Sequence, residues 1–481
     1  MSLISRHYLE VDGRTVHYRV AGRGPLLLLL HQSPQSSADY IDLMGRWADR
    51  YTMIAPDRPG CGGSDALPMA QPSFEDYARA TVAFLDAIGL QRVPIYGYHT
   101  GAAEAVAVAD LFPERVAAVA ANGVSVIDGD DLVDIEANYL PPFVPRWDGG
   151  HLAWLWSRMR EQTIFFPWHR KSAAARMHYD LPPPERLQKN ALELLRRSDV
   201  YHIAYRAAFR YDPRPAAARL RVPVLITAAA WDLLASHLER LPQSAPNPTV
   251  RAPARRPEAE SLCSQFVATH AAPPLPLPVP ANSAAGGRRL LLGDDYALHA
   301  LEWGAQDAPL VVLLHDATAR AQTVAPLGAA LAALGLRVFA PDLPGHGESS
   351  AAGTLAGDVI EQCAQRLATA SRRRVRGPAA LLGIGAGAHV AFALAERWRG
   401  NAARVVAHQP HAWPAEERAA IAAAFAEVPR PDWYGGHLQH AGCVRATRRC
   451  SIRGARGATP ARSAASRSSI RRRRRSAPWR C

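Results

Sequence analysis

The chain has 481 residues, 48% apolar and 21% charged, which suits two or three globular domains. Its purely apolar runs, such as 26–30, are all far shorter than the ~20 residues of a spanning helix, and MSLISRHYLEVDG carries neither the apolar core nor the cleavage site of a leader, so a cytoplasmic protein without membrane segments is the expectation. The net charge of +13 resides in 439–481, where 13 arginines occur with no Lys, Asp or Glu; the preceding chain is neutral, with 43 basic and 43 acidic side chains, which disfavours nucleic acid as a partner.

In chain order, GPLLLLLHQSP (24–34) predicts a strand buried on both faces, entering a tight turn at Pro34. YTMIAPDRPGCGGSD (51–65) predicts a second strand and a glycine-rich turn. In PIYGYHTGAAEAVAVA (94–109) an apolar strand meets an alanine-rich helix, with Gly97 and Gly101 flanking His99; this Gly-x-x-x-Gly spacing between strand and helix is the shape of a sharp elbow that exposes its central side chain. About 130–215 predicts a helical cap, in which Trp154, Trp156, Trp168, Phe165 and Phe166 suit an apolar pocket or simple helix packing. VPVLITAAAWDLL (222–234) predicts a buried strand ending at Asp232, with His237 read as a surface residue. The six cysteines show no CxxC pair and no zinc-like spacing with histidines, so no metal is expected.

The chain is written twice. GPLLLLLHQSP corresponds to APLVVLLHDAT (308–318), YTMIAPDRPGCGGSD to LRVFAPDLPGHGESS (336–350), and YGYHTGAAEAVAVA to LGIGAGAHVAFALA (382–395). VPRWDGGHL (144–152) corresponds to VPRPDWYGGHL (428–438), and the spacing of 52 residues from Gly97 to Gly149 repeats from Gly383 to Gly435. Each copy reads as strand, short apolar strand, loop, helix, strand, loop, helix, strand, elbow, helix. The expected domains are 1–270, a Pro/Ala-rich linker at 271–287, a partial second copy at 288–438, and a basic tail at 439–481. The tail has no apolar periodicity and reads as disordered, and either as out-of-frame translation or as a basic arm that binds phosphates.

The HQSP loop, the APDRPGCGGSD turn and the strand–elbow–helix together resemble the α/β-hydrolase superfamily, in full over about 10–270 and in part over 288–438. HQSP with GYHTG more narrowly resembles a group with histidine at the elbow. The resemblance implies an α/β fold: a mostly parallel sheet flanked by helices, with a helical cap and a truncated second copy. It also implies a nucleophile at the elbow, a late-loop histidine as its base and an acid to orient that base. Here His99 occupies the nucleophile position, and Arg255 and Arg256 stand where the late histidine would be. Asp232 falls at the acid position, and the N–H groups of Thr100 and of Gln32 or Ser33 would form the oxyanion hole. His99 can be read as a general base for water, as a nucleophile, or as a hydrogen-bonding relic in a disused pocket. The second elbow reads Gly383, Ile384, Gly385, Ala386, Gly387, so its centre has no side chain; the repeat explains these glycines better than a dinucleotide fingerprint does.

The expectation is a hydrolase of a small apolar ester, amide or related carbonyl compound, needing no cofactor and taking a small-molecule substrate. The alternative is a non-catalytic ligand-binding or interaction protein of the same fold.

Overall fold

The computed structural model describes residues 4–177, 180–242, 248–270, 287–292, 296–349, 359–371, 375, 377–398 and 400–410. The expected linker up to 286, the VPRPDWYGGHL counterpart and the arginine-rich tail lie outside the described residues.

The first copy begins with a hairpin, β1 (Ser5–Val11) and β2 (Arg14–Gly22), turned by Asp12 and Gly13 at φ 50° and 72°. Positive φ at both central residues is what a two-residue hairpin turn requires. Two strands therefore precede GPLLLLL, where the sequence pattern predicts one; the polar alternation of SRHYLEV and RTVHYRVAG gives a weaker signal than a run of leucines. There follow β3 (Leu26–Leu30), α1 (Ile41–Trp47), β4 (Thr52–Pro56), α2 (Phe74–Ala87), β5 (Val93–Tyr98), α3 (Thr100–Leu111) and β6 (Val116–Asn122). The cap segment supplies α4 (Gly129–Asn138), α5 (Gly150–Glu161), α6 (Pro184–Arg196) and α7 (Tyr201–Arg210). The chain returns through α8 (Pro213–Arg219), β7 (Val224–Thr227), β8 (Thr249–Arg251) and α9 (Arg256–Thr269).

The strands form one sheet in the order β1-β2-β4-β3-β5-β6-β7-β8. Pairing is antiparallel at β1/β2 and β2/β4 and parallel from β4 onward. The alternation within β3 explains why its leucines run unbroken. Leu26, Leu28 and Leu30 enter the core shared with α2 and α3, and Leu27 and Leu29 enter the opposite core with Met44, Trp47, Cys263 and Val267. Helix α3 lies hard against the sheet because it is made of small residues. A Cβ on Gly101 would lie 1.8 Å from the Leu30 carbonyl oxygen, and one on Gly97 would lie 2.1 Å from that of Gly101, so neither position admits a side chain.

The cap has its own core of Ile135, Tyr139, Leu155, Met159, Leu194 and Phe209, with Trp154, Phe166 and Trp168 packed against it. These aromatics serve helix packing.

The second copy contains β9 (Arg288–Leu292), β10 (Ala297–Trp303), β11 (Leu310–Leu314), α10 (Ala325–Ala333), β12 (Arg337–Pro341), α11 (Val359–Ser371), β13 (Ala379–Ile384), α12 (Ala386–Arg397) and β14 (Ala402–His408). Its sheet order, β14-β13-β11-β12-β10-β9, matches β6-β5-β3-β4-β2-β1 of the first copy strand for strand. The two copies touch where the Tyr8 hydroxyl donates to Glu348 and the Arg288 guanidinium lies 4.4 Å over the Tyr8 ring. Among the described residues no helix is long and apolar enough to cross a membrane, and no group of three metal-ligating side chains comes together.

Candidate active site

Strand β5 ends in a turn that puts His99 at φ 48°, ψ −112°, a left-handed conformation that costs a non-glycine residue ~1–3 kcal/mol unless its surroundings hold it. They do so on both sides. The His99 N–H donates to the Asn122 carbonyl (2.8 Å), and the His99 carbonyl accepts the N–H of Ala102 (2.8 Å) as α3 begins. The imidazole stacks on Tyr98, ring centroids 4.1 Å apart. Gly123, at φ 82°, leaves it room: a Cβ there would lie 2.5 Å from His99 Cδ2.

The structure brings His99 and Asp232 together across the sheet. His99 Nε2 lies 3.0 Å from Asp232 Oδ2 and 3.2 Å from Oδ1, so it is the Nε2–H that donates and Nδ1 that retains a lone pair. Asp232 also accepts the Leu234 N–H at 2.9 Å and lies 3.5 Å from the Tyr98 hydroxyl. Burial raises its pKa, but the neighbouring His99, the hydrogen bonds from His99 and Leu234, and the charge of Arg256 outweigh that and hold the carboxyl below its ordinary range.

Arg256, the first residue of α9, stands where the resemblance implied a histidine. Its guanidinium lies 4.6 Å over the Tyr98 ring, and its Nε donates to Glu260 at 3.0 Å. It thus braces the ring on which His99 stacks. His237 is not at the surface as expected: it is buried, and its Nδ1 accepts the Val126 N–H at 3.0 Å. Burial, aided by Arg240, pushes its pKa down to about 4, the state an accepting nitrogen requires.

The HQSP loop is held from beneath. The His31 Nδ1–H donates to the Gln32 carbonyl, and its Nε2 accepts the Arg58 N–H at 2.9 Å. Arg58 donates to the His31 carbonyl (2.7 Å), to Ser33 Oγ (3.2 Å) and to Glu104 (2.6 Å). Glu104, which also accepts from Thr81 at 2.7 Å, is a buried acid in the alanine-rich helix α3. Arg58 and Glu104 are both almost wholly buried, so their charges depend on one another. Gln32 Nε2 donates to Asp39 at 2.8 Å. The Ser33 N–H donates to Thr100 Oγ1 at 3.3 Å, which brings two of the residues expected to form the oxyanion hole into contact.

The second copy offers an internal comparison. Gly385 has the elbow conformation, φ 57°, ψ −121°. Ala317 and Ala386, the counterparts of Ser33 and Thr100, both donate their N–H groups to Asp316 Oδ1 at 2.8 Å. Two backbone donors converging on one anionic oxygen is the geometry of an oxyanion hole; here a carboxylate of the chain itself fills it.

A sheet of this order, a positive-φ elbow between strand and helix, and a cap inserted after β6 appear together with a matching family model: residues 25–254 match that of the alpha/beta hydrolase fold. The chain belongs to the α/β-hydrolase superfamily. Residues 305–449 match a second hydrolase family model, described as serine aminopeptidase, S33, in agreement with a second copy of the α/β-hydrolase fold. An uncharacterized protein of Mycobacterium tuberculosis is 37% identical over 120 residues, which is 23% of this chain and 35% of that protein. The 2-(acetamidomethylene)succinate hydrolase of Mesorhizobium japonicum is 32% identical over 134 residues, 28% of this chain and 46% of that enzyme. The chain thus spans less than half the length of these curated relatives. Among solved structures, Epoxide Hydrolase A from Mycobacterium thermoresistibile aligns with a TM-score of 0.42 at 21% identity, covering 56% of this chain and 100% of that one.

Sequence reasoning singled out His99, Asp232, Thr100 and the HQSP loop but missed Tyr98, Gly123 and the Arg58–Glu104 pair. Glu104 left a signal: an acid in the middle of an alanine- and valine-rich stretch of helix needs a buried cation. Tyr98 left none, since an aromatic residue at the end of a buried strand reads as core.

Proposed function

We propose that the first copy is a hydrolase of a small apolar ester, amide or related carbonyl compound, in which His99 acts as general base on water. The observation that carries this reading is the His99–Asp232 contact at the elbow: Nε2 is fixed at 3.0 Å from the carboxylate, so Nδ1 carries the basic lone pair. Nδ1 takes a proton from water as the water oxygen bonds to the carbonyl carbon, and the carbonyl π pair moves to its oxygen. The N–H groups of Thr100 and of the HQSP loop, at Gln32 or Ser33, stabilise that oxyanion. On collapse the bond to the alkoxide or amine breaks, and the proton held on Nδ1 passes to the leaving group. Asp232 orients the ring and stabilises the transient imidazolium. The chemistry needs no cofactor, because acid, base and oxyanion donors all come from the chain.

The contact between the Ser33 N–H and Thr100 Oγ1 favours a second reading, a binding protein whose oxyanion site is closed. Hydrolysis of a panel of short-chain esters by the full chain separates the two. General-base assistance is worth about 10²–10⁴-fold, so His99→Ala should lower the rate by that order, and a serine-directed phosphonate should leave the elbow unlabelled. Equal rates for wild type and His99→Ala would eliminate the catalytic reading and leave the binding protein.

A further inference from the structure

In the first copy, Asp57 at the end of β4 is a fully satisfied buried carboxylate. Its Oδ1 accepts from the Ser37 N–H (2.8 Å) and the Ser37 hydroxyl, and its Oδ2 accepts from His17 Nδ1 (2.7 Å) and the Gly63 N–H (2.8 Å). The Arg19 guanidinium, also buried, lies 3.8 Å away and donates to Ser37.

The second copy keeps the carboxylate and its backbone donors but has lost the rest. Asp342 accepts from the Ala321 N–H at 2.6 Å and the Glu348 N–H at 2.9 Å. Strand register places Leu301 where Arg19 stands, since Leu301 pairs with Ala340 as Arg19 pairs with Ala55. Ala321 replaces Ser37. His299, the counterpart of His17, points Nδ1 toward Glu348 at 3.8 Å. His299 is only 4% exposed, and its Nε2 has no hydrogen-bond partner among the described residues. A cavity of about 220 Å³ fills the gap, lined by His299, Leu301, Arg320, Ala321, Asp342 and Glu348 among others. Since ~10–15 Å³ of such space admits one water, a small organic ion fits.

We propose that this cavity binds a small molecule bearing a guanidinium group, seated on Asp342 where the first copy uses its own Arg19. A planar guanidinium presents several N–H donors to a carboxylate that still has unfilled lone pairs, and a neutral His299 can accept one more. Arg288 also lines the cavity, but it faces Glu348 at 3.5 Å and the Tyr8 ring. Arg320 is exposed, so solvent screens its charge. The inference is independent of the His99 chemistry.

The test is titration calorimetry of the full chain with methylguanidinium chloride, with methylammonium chloride at equal ionic strength as control. Saturable one-site binding of methylguanidinium is expected, stronger than that of methylammonium. Leu301→Arg with Ala321→Ser writes the first copy's residues into the second and should weaken binding at least about tenfold by filling the site. Arg320→Ala, a change at an exposed position, should leave binding unchanged or slightly tighter, because solvent already screens that charge. Absence of saturable binding to the wild type, undiminished binding to the double variant, or weaker binding to Arg320→Ala would each overturn the proposal.

Discussion

At the scale of single residues, the proposed mechanism would have one imidazole perform a task usually divided between two side chains. His99 sits on the elbow and reaches the late-strand acid itself, so no third residue is needed to link them. Asp232 then acts as a positioning residue. With Asp232→Asn the ring can still donate Nε2–H to an amide oxygen, but the negative charge that stabilises a protonated imidazole is gone. A fall in kcat of about 10²–10³-fold with KM close to wild type is expected, measured on whichever ester the panel identifies. Because the folded carboxyl titrates below its ordinary value of 3.8, it stays charged at and above pH ~4, and its contribution to stability is lost only as pH falls through that lowered value. Loss of wild-type activity above pH ~4 should therefore not follow protonation of Asp232, and a kcat for Asp232→Asn equal to that of the wild type would remove Asp232 from this role.

At the scale of elements, the HQSP loop owes its place to a buried ion pair beneath it. Arg58 comes from the turn after β4 and Glu104 from α3, so the pair ties three elements together. Replacing Glu104 by Gln leaves an uncompensated buried guanidinium, and breaking a buried pair in this way costs about 3–5 kcal/mol. Urea unfolding of the Glu104→Gln variant should show a loss of that size; a change below about 1 kcal/mol would mean that Arg58 finds solvent instead. The repeated strands and the elbow were legible in sequence because a short unbroken apolar run suits a strand covered on both faces, and paired glycines between strand and helix suit a turn too tight for side chains. The buried strand before Asp232 was legible by the same logic, but β7 ends at Thr227, short of the expected end, and Asp232 lies in the turn that follows. The β1–β2 hairpin was not, because its residues alternate polar and apolar and its Asp-Gly turn is short. The burial of His237 was also hidden: its environment is made by Val126 and Arg240, the first of them far away in sequence. Tyr98 and Arg256 were hidden for a related reason, since their contact joins β5 to α9 across the molecule.

At the scale of the whole molecule, the two copies are one fold carrying different side chains at corresponding positions. They share the sheet order, the elbow angles, the buried histidine after the first apolar strand and the carboxylate after the next. His315 repeats the bonds of His31, donating to the Asp316 carbonyl and accepting the Leu343 N–H. What differs is the side chains that carry chemistry: histidine against glycine at the elbow, glutamine against aspartate in the loop, arginine against leucine on the second strand. The aspartate has a consequence for turnover. A carboxylate is what ester hydrolysis leaves behind, and Asp316, bound by the Ala317 and Ala386 N–H groups, occupies the second copy as a tethered acid product would. The first copy lacks the tether, but an acid it released would meet the same two kinds of donor at Ser33 and Thr100. Acid products should therefore compete with substrate: acetate added at millimolar concentrations should raise the apparent KM for an acetate ester without lowering kcat, whereas formamide at the same concentration should not. Inhibition that is absent, or that acts on kcat alone, would show that the first copy's donors do not hold an anion as the second copy's do.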